Sequence, residues 1–406
     1  MPNPIRRTAR LTIVALLVAA CAGARPSSSP PSADPTVAPP PSQPATAAPT
    51  VEPTATPPAA PTLLERTWTL ADLPAVGDVA VHTDSRWVAL SNGCGGGCDS
   101  SRPTGMTSDD GITWTSKGFE PVDGPFPVAI AWNGGRVYGL GSFLRASEGA
   151  DTKEAVIWDS EDGTSWRRIS TIDLGECAGT CLTAETLSVS SRGVLVMGAG
   201  RSGEGGPSGI FRSDDGRSWT RVKASTFGLV DDRVFEVVDT IAIGETIVLA
   251  GACDDCGIGV GLWTSEDGVQ WSRLATLDTE LMPSLLQLAS DGSRLVLTAP
   301  RCVDEACTTP IWTGSIDGSF AKSPADPQLR RPRLAEIGGV YVLAGMADDA
   351  PHVFASADGP TWTEQPTTLD FAGCDVADLA GGPESMLLFT TADCIQGWVG
   401  RPAQPR

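Results

Sequence analysis

Six short stretches of this 406-residue chain place a serine, a carboxylate and a glycine at fixed spacing and end on an aromatic. They are TSDDGITW at 107, DSEDGTSW at 159, RSDDGRSW at 212, TSEDGVQW at 264, GSIDGSF at 314 and ASADGPTW at 355. Carboxylates at such spacing could do acid–base work, or a polar loop could hold calcium. Neither chemistry suits the pattern. One aspartate per repeat is spread around an architecture instead of gathered in a cleft. A turn offering one or two carboxylates falls short of the six or more oxygens that Ca²⁺ takes. A turn needs these same residues. Ser and Asp side chains bond nearby backbone groups, and glycine supplies a positive φ. The aromatic is a large apolar wedge. Ser108, Asp110 and Trp114 are therefore read as turn-holders, as are Ser160, Asp162 and Trp166, and Ser213, Asp215 and Trp219. Ser265, Asp267 and Trp271, Ser315, Asp317 and Phe320, and Ser356, Asp358 and Trp362 complete the set. In the fifth copy Gly314 reads as an insertion and Phe320 stands for Trp, which predicts the most irregular hairpin there.

The second chemistry is sulfur. Of 11 cysteines, Cys21 stands apart and ten remain. Cys94 and Cys98, Cys177 and Cys181, Cys253 and Cys256, and Cys302 and Cys307 form close pairs, with Cys374 and Cys394 as a wider one. Zinc needs two such pairs brought together or histidines beside them, and His82 and His352 are the only histidines. Disulfides of an exported domain are the expectation.

These residues need a scaffold, and the repeat describes one. The motif serines step by 52, 53, 52, 50 and 41 residues. Self-similarity at such a period marks stacked supersecondary units. Each unit reads as four short strands. A first strand such as VVDTIAI at 237 leads to a second such as TIVLAGAC at 246. A third such as GLW at 261 precedes the motif, and a fourth such as QWSRLA begins at its tryptophan. Four strands per unit with turn signals between them form the blade of a β-propeller. Six blades carry the motif. A seventh, from 374 to 400, has three strands, and ERTWTLADL at 65 is an outer strand without a blade. The chain is thus predicted to be all-β, a seven-bladed β-propeller over 63–406 whose N-terminal strand closes the last blade and removes two unpaired edges.

The motif S-x-D-G-x-[ST]-[WF] resembles the Asp-box, or BNR repeat, of sialidases, sortilin-type receptors and photosystem II assembly-factor propellers. The resemblance covers six of seven blades and implies a hairpin between third and fourth strands. Sialidases use a tyrosine nucleophile with a carboxylate partner and clustered arginines for the substrate carboxylate. This chain has only Tyr138 and Tyr341, both mid-strand; it lacks the FRIP motif, and Arg102, Arg145 and Arg301 are scattered. An exo-sialidase-like glycosidase is therefore the alternative, and a non-catalytic binding or scaffold propeller the expectation. An assembly-factor role is the third reading.

The Asp-box turns and the cysteines are expected on opposite rims, because second-to-third and fourth-to-first connections share one edge of a propeller. Rigid loops on a scaffold commonly carry binding sites. The cysteine rim also carries Asp254, Asp255, Asp304, Glu305, Asp348 and Asp349. These are the candidate binding residues, for an unknown protein or glycan. No cofactor is expected; calcium at this rim is the alternative.

The N-terminus reads differently. Arg6, Arg7 and Arg10 precede an apolar run from Leu11 to Ala20, too short to span a bilayer but suited to a signal peptide over 1–20. Val18-Ala19-Ala20-Cys21 resembles a bacterial lipobox, which implies lipid attachment at Cys21. Residues 22–62 hold 13 prolines in 41 positions and predict a disordered, semi-rigid tether. The formal charge of −20 becomes −23 when the three arginines are removed. Such acidity argues against nucleic acid and anionic headgroups as partners. The expected location is extracytoplasmic, on the bacterial cell membrane through the lipid anchor alone, as a monomer.

Overall fold

A computed structural model describes residues 66–75, 77–92, 102–121, 124–145, 152–176, 181–202, 209–229, 235–252, 259–279, 283–303, 306–324, 326–370, 373–391 and 396–402. By backbone contacts the chain divides into Met1–Pro57 and Pro58–Arg406, and every described residue lies in the second unit. Cys21, Cys94, Cys98, Cys177, Cys253, Cys256 and Cys394 lie outside the described residues, as do Asp254, Asp255, Asp304 and Glu305.

Seven four-stranded antiparallel sheets form the blades of a β-propeller. Blade 1 holds β2 (Val79–His82), β3 (Trp87–Ser91), β4 (Thr104–Ser108) and β5 (Thr115–Gly118). Blade 2 holds β6 (Phe126–Trp132), β7 (Val137–Arg145), β8 (Thr152–Ser160) and β9 (Arg167–Glu176). Blade 3 holds β10 (Cys181–Val189), β11 (Leu195–Ser202), β12 (Gly209–Ser213) and β13 (Thr220–Arg221). Blade 4 holds β14 (Val237–Ile243), β15 (Thr246–Ala252), β16 (Gly259–Ser265) and β17 (Ser272–Asp278). Blade 5 holds β18 (Gln287–Ser290), β19 (Arg294–Thr298), β22 (Ile311–Ser315) and β23 (Phe320–Lys322), with a hairpin of β20 (Arg301–Val303) and β21 (Ala306–Thr308) inserted. Blade 6 holds β24 (Arg330–Ile337), β25 (Val340–Ala347), β26 (Ala350–Ser356) and β27 (Thr363–Gln365). Blade 7 takes β28 (Val376–Gly381), β29 (Met386–Thr390) and β30 (Gly397–Pro402) from the C-terminal end and β1 (Arg66–Leu70) from the other.

Burial explains the strand chemistry. Second strands lie between neighbouring blades and are apolar on both faces; every residue of β3 and of β29 is buried. Outer strands face solvent, as in the exposed Thr115, Ser116 and Lys117 of β5. The core is a series of inter-blade clusters. Trp158 and Trp166 of blade 2 pack with Val88 and Leu90 of blade 1, and Trp263 and Trp271 of blade 4 with Val196 and Ile210 of blade 3.

The recurring turn fastens blades together. In blade 2, Ser160 Oγ donates to Asp162 Oδ1 (3.1 Å), which also accepts the N–H groups of Thr164 (2.8 Å) and Ser165 (2.6 Å). The Gly163 N–H donates to Ser160 Oγ (2.9 Å), and Trp166 Nε1 donates to the Gly163 carbonyl (2.7 Å). The same bonds recur at Asp110, Asp215 and Asp267. At Asp358 the N–H of Thr361 and the hydroxyl of Ser356 are the donors. Gly163 has φ 76°, and a Cβ there would stand 2.7 Å from Val88 of the preceding blade. The glycine is thus required twice, by its conformation and by the neighbouring blade.

Blade 5 departs from this pattern, for a reason other than an inserted Gly314. Gly314 is an ordinary strand residue of β22, opposite Leu295 and Phe320. The residue is lost later: Phe320 follows Ser315 by five positions, where Trp166 follows Ser160 by six. The Gly318 N–H accordingly donates to the Ser315 carbonyl (3.1 Å) instead of to a serine hydroxyl.

Candidate functional site

An axial cavity of about 600 Å³ is lined by the inner strand of every blade. Its residues come from the starts and middles of those strands, from Glu236 just before β14 and from Ser284 to Leu286 just before β18. It therefore sits toward the end of the axis where the inner strands begin, the rim to which the cysteines were assigned.

Bulges shape four of the seven inner strands of this wall. Inner strands β6, β10, β24 and β28 each carry one extra residue against their partner, between Pro127 and Ala129, Ala184 and Thr186, Arg330 and Arg333, and Val376 and Asp378. A bulge breaks the alternation of faces and re-aims side chains. Glu185 is itself a bulged residue, while Arg333 and Asp378 follow directly after theirs.

Glu185, Glu236, Asp239, Arg333 and Asp378 are the ionisable groups of the described lining, and four of them each tie their own blade to the next. Asp239 in β14 accepts the Leu288 N–H of blade 5 on Oδ2 (2.7 Å). Its Oδ1 accepts the Thr240 N–H (2.8 Å) and the Thr186 hydroxyl of blade 3 (3.1 Å). Asp378 in β28 accepts the Ala80 N–H of blade 1 (2.8 Å). Glu185 in β10 accepts the Val238 N–H of blade 4. Arg333 in β24 donates from Nε to the Ala377 carbonyl of blade 7 (2.6 Å). Asp78, next to this wall, accepts the Asn92 N–H (2.6 Å).

Electrostatics follow from burial. Desolvation pushes the Asp239 and Asp378 carboxyls up to about 6, against their backbone donors and the charge of Arg333. It pushes Glu185 to about 8 and Asp78 to about 7, opposed by backbone bonds and reinforced by Asp239 and Asp378 respectively. Burial lowers Arg333, while Asp378 and Asp239, on opposite sides of the ring, act to hold its charge. Neither carboxylate pairs with it directly: among the described residues Arg333 forms only its bond to Ala377.

Of the residues singled out from sequence, Asp348 and Asp349 form a tight turn with φ 49° and 58° at the edge of a second hollow of about 580 Å³. Cys302, Cys307, Gln328 and Arg330 also line it. Cys302 and Cys307 form a disulfide across the β20–β21 hairpin, and Cys374 is disulfide-bonded as well. The described part of this rim is not simply acidic. Arg330 pairs with Asp375 at 2.8 Å and lies 3.9 Å from Asp349, and Arg331 reaches Asp375 at 3.3 Å. Among the described residues no group of three His, Cys, Asp or Glu side chains could hold a metal ion.

The turn aspartates stay at the opposite ends of the strands, away from the cavity. Neither tyrosine lines it. Tyr341 is buried; its hydroxyl donates to the Arg294 carbonyl (3.2 Å) and accepts the Asp291 N–H (3.3 Å). Arg333 is the one arginine among the described lining residues. Sequence reasoning missed Glu185, Asp239, Arg333 and Asp378. The available signal was a single carboxylate in each of the inner strands CLTAETLSV, VVDTIAI and VADLAG; Arg333 sits among other charges in RRPRLAEI and carried no such signal.

No protein-family model matches this chain, and no curated protein does. Among solved structures it is similar to an ulvan lyase of a polysaccharide lyase family, at a TM-score of 0.50 and 12% identity over 82% of this chain and 95% of that one. It is also similar to virginiamycin B lyase from Staphylococcus aureus, at a TM-score of 0.49 and 12% identity over 83% and 99%. At such identities the likeness concerns the fold alone.

Proposed function

We propose that this chain is an exported, lipid-anchored, non-catalytic binding propeller whose axial cavity takes a small polar ligand. Cys21 carries the anchor, residues 22–62 the tether, and the propeller the site. The observation that carries this reading is the use of the cavity's carboxylates. Asp239 accepts the Leu288 N–H of blade 5 and the Thr186 hydroxyl of blade 3, and Asp378 the Ala80 N–H of blade 1, so both serve as ties between blades, whereas a general acid or base presents its carboxyl to the substrate. They hold the ring rigid around a concave polar space, as a binding site requires. The recurring turns resemble Asp-boxes in their bonding and fasten blades on the other rim. The hollow beside Arg330 and Asp348 offers a larger protein or glycan partner a second surface on the same end.

The test is a thermal-shift and calorimetric screen of the full chain against small polar metabolites, alongside turnover assays with fluorogenic glycosides. Saturable binding without turnover supports the reading. Glycoside cleavage would replace it with a divergent sialidase-like hydrolase. Mass spectrometry of the membrane fraction should find diacylglycerol on Cys21, and a Cys21→Ser chain should be released from the membrane.

A further inference from the structure

Two groups in the axial cavity are unsatisfied in complementary ways. Arg333 uses Nε for the Ala377 carbonyl, and its two Nη groups have no hydrogen-bond acceptor among the described residues. On the adjacent blade, Gln287 lines the same cavity, and its Oε1 is buried without a donor. Arg333 is half-buried, and a guanidinium edge that opens on a cavity suits a planar anion such as a carboxylate. A buried amide oxygen asks for a donor. Asp239 on the far side of Gln287 and Asp378 beside Arg333 add negative charge around the same space.

We propose that the axial cavity binds a small zwitterion, with its carboxylate on the Nη edge of Arg333 and its ammonium between Asp239 and Gln287, whose amide turns to bring Oε1 into the cavity. The inference rests on the reading of this cavity as a binding site. Charge decides the class. A simple anion would meet Arg333 but also Asp239, Asp378, Glu185 and Glu236. A simple cation would meet the carboxylates but also a guanidinium that has no direct ion pair. A ligand carrying both charges answers each wall without adding net charge to a space of low dielectric. The opposite wall, on blades 1 and 2, presents Val79, Val128 and Ile130. That apolar side suits an aliphatic substituent, so the ligand class is an aliphatic α-amino acid or a short peptide of one. A cavity of about 600 Å³ has room for either.

The probes are L-leucine, 4-methylpentanoate, which keeps the carboxylate, and 3-methylbutylamine, which keeps the amine. Calorimetry on the full chain should show saturable L-leucine binding, with both analogues at least about tenfold weaker. Arg333→Met should weaken L-leucine binding at least about tenfold, and Gln287→Leu several-fold. Gln287→Leu removes no hydrogen bond of the described fold, so it remains informative if Arg333→Met fails to fold. Equal binding of either analogue overturns the proposal, as does undiminished binding in Gln287→Leu. A metabolite of another class that binds, and is blocked by Val128→Trp, would keep the cavity as a site while removing the zwitterion. Silence from the leucine series and the whole panel would remove both.

Discussion

Asp110 and Asp239 show how one residue type takes opposite roles. The Asp110 carboxylate accepts the N–H groups of Thr113 and Ile112 and the Ser108 hydroxyl, which together hold its pKa below the ordinary carboxylate range. Asp239 also accepts three donors, yet burial in the cavity wall raises it to about 6. Linkage then sets the sign of each contribution. For the lowered turn aspartates the unfolded state binds more protons, so stability is lost as pH falls below about 4. For Asp239, Asp378, Asp78 and Glu185 the folded state binds more protons between about 4 and their folded values of about 6 to 8. Stability should therefore fall as pH rises through that window. Thermal melts from pH 3 to 9 should peak at about pH 4 and decline towards about pH 8. Asp378→Asn keeps an oxygen for the Ala80 N–H and removes one titration, so its alkaline slope should be shallower. A melting temperature that climbs steadily to pH 8 would contradict this assignment. At this scale the turn aspartates were legible because they repeat. Asp239 was not: within VVDTIAI it looks like one polar residue in a strand, and nothing local says that its partner is Leu288, 49 positions away.

At the scale of the element, the turn and the bulge divide the work. The turn's glycine meets the preceding blade at close range, so its replacement strains backbone and packing together. Gly163→Val should destabilise by roughly 2–4 kcal/mol, from the left-handed backbone cost and displacement of Val88; urea unfolding measures it. Gly193, also at positive φ but with open space around it, should tolerate Ala at a lower cost. The Cys302–Cys307 disulfide closes a loop with a sequence separation of only 5. Serine at both positions should cost no more than about 2 kcal/mol. A larger loss would show that the hairpin supports blade 5 beyond loop closure. Strand order and turn positions were readable from hydrophobic runs and glycine signals. The bulges were not, because small and polar residues in β10 (CLTAETLSV) and β28 (VADLAG) already blur the alternation that a single extra residue interrupts. It changes only which partner each residue faces, and with it which side chains reach the axis.

At the scale of the molecule, closure is the controlling event. β1 pairs with β30 from Arg66 opposite Pro402 to Leu70 opposite Trp398. The chain then clasps blade 1: the Asp72 N–H donates to the Ile112 carbonyl (2.8 Å), and Arg401 Nη2 donates to the Asp110 carbonyl (2.6 Å). A chain lacking residues 66–70 leaves β30 as an open edge, a template for association. Such a chain should lose roughly 3–5 kcal/mol of stability and self-associate with rising concentration, as read by calorimetry and light scattering. A monomeric variant with an unchanged melt would show that the ring does not depend on this strand.

The amino-acid sequence by itself determined the number of blades, the closing strand and the fastening turns. Each of these follows from local chemistry repeated at a near-constant step: a glycine with positive φ, an aspartate that gathers N–H groups, an apolar strand of fixed length. What stands at the axis was decided only by the tertiary structure. The cavity takes two or three residues from each of seven strands between Val79 and Asp378, and bulges in four of those strands help to choose which ones. Their burial, their shifted protonation and the unmatched edges of Arg333 and Gln287 arise only when the ring closes, because desolvation depends on neighbours that the local sequence does not contain.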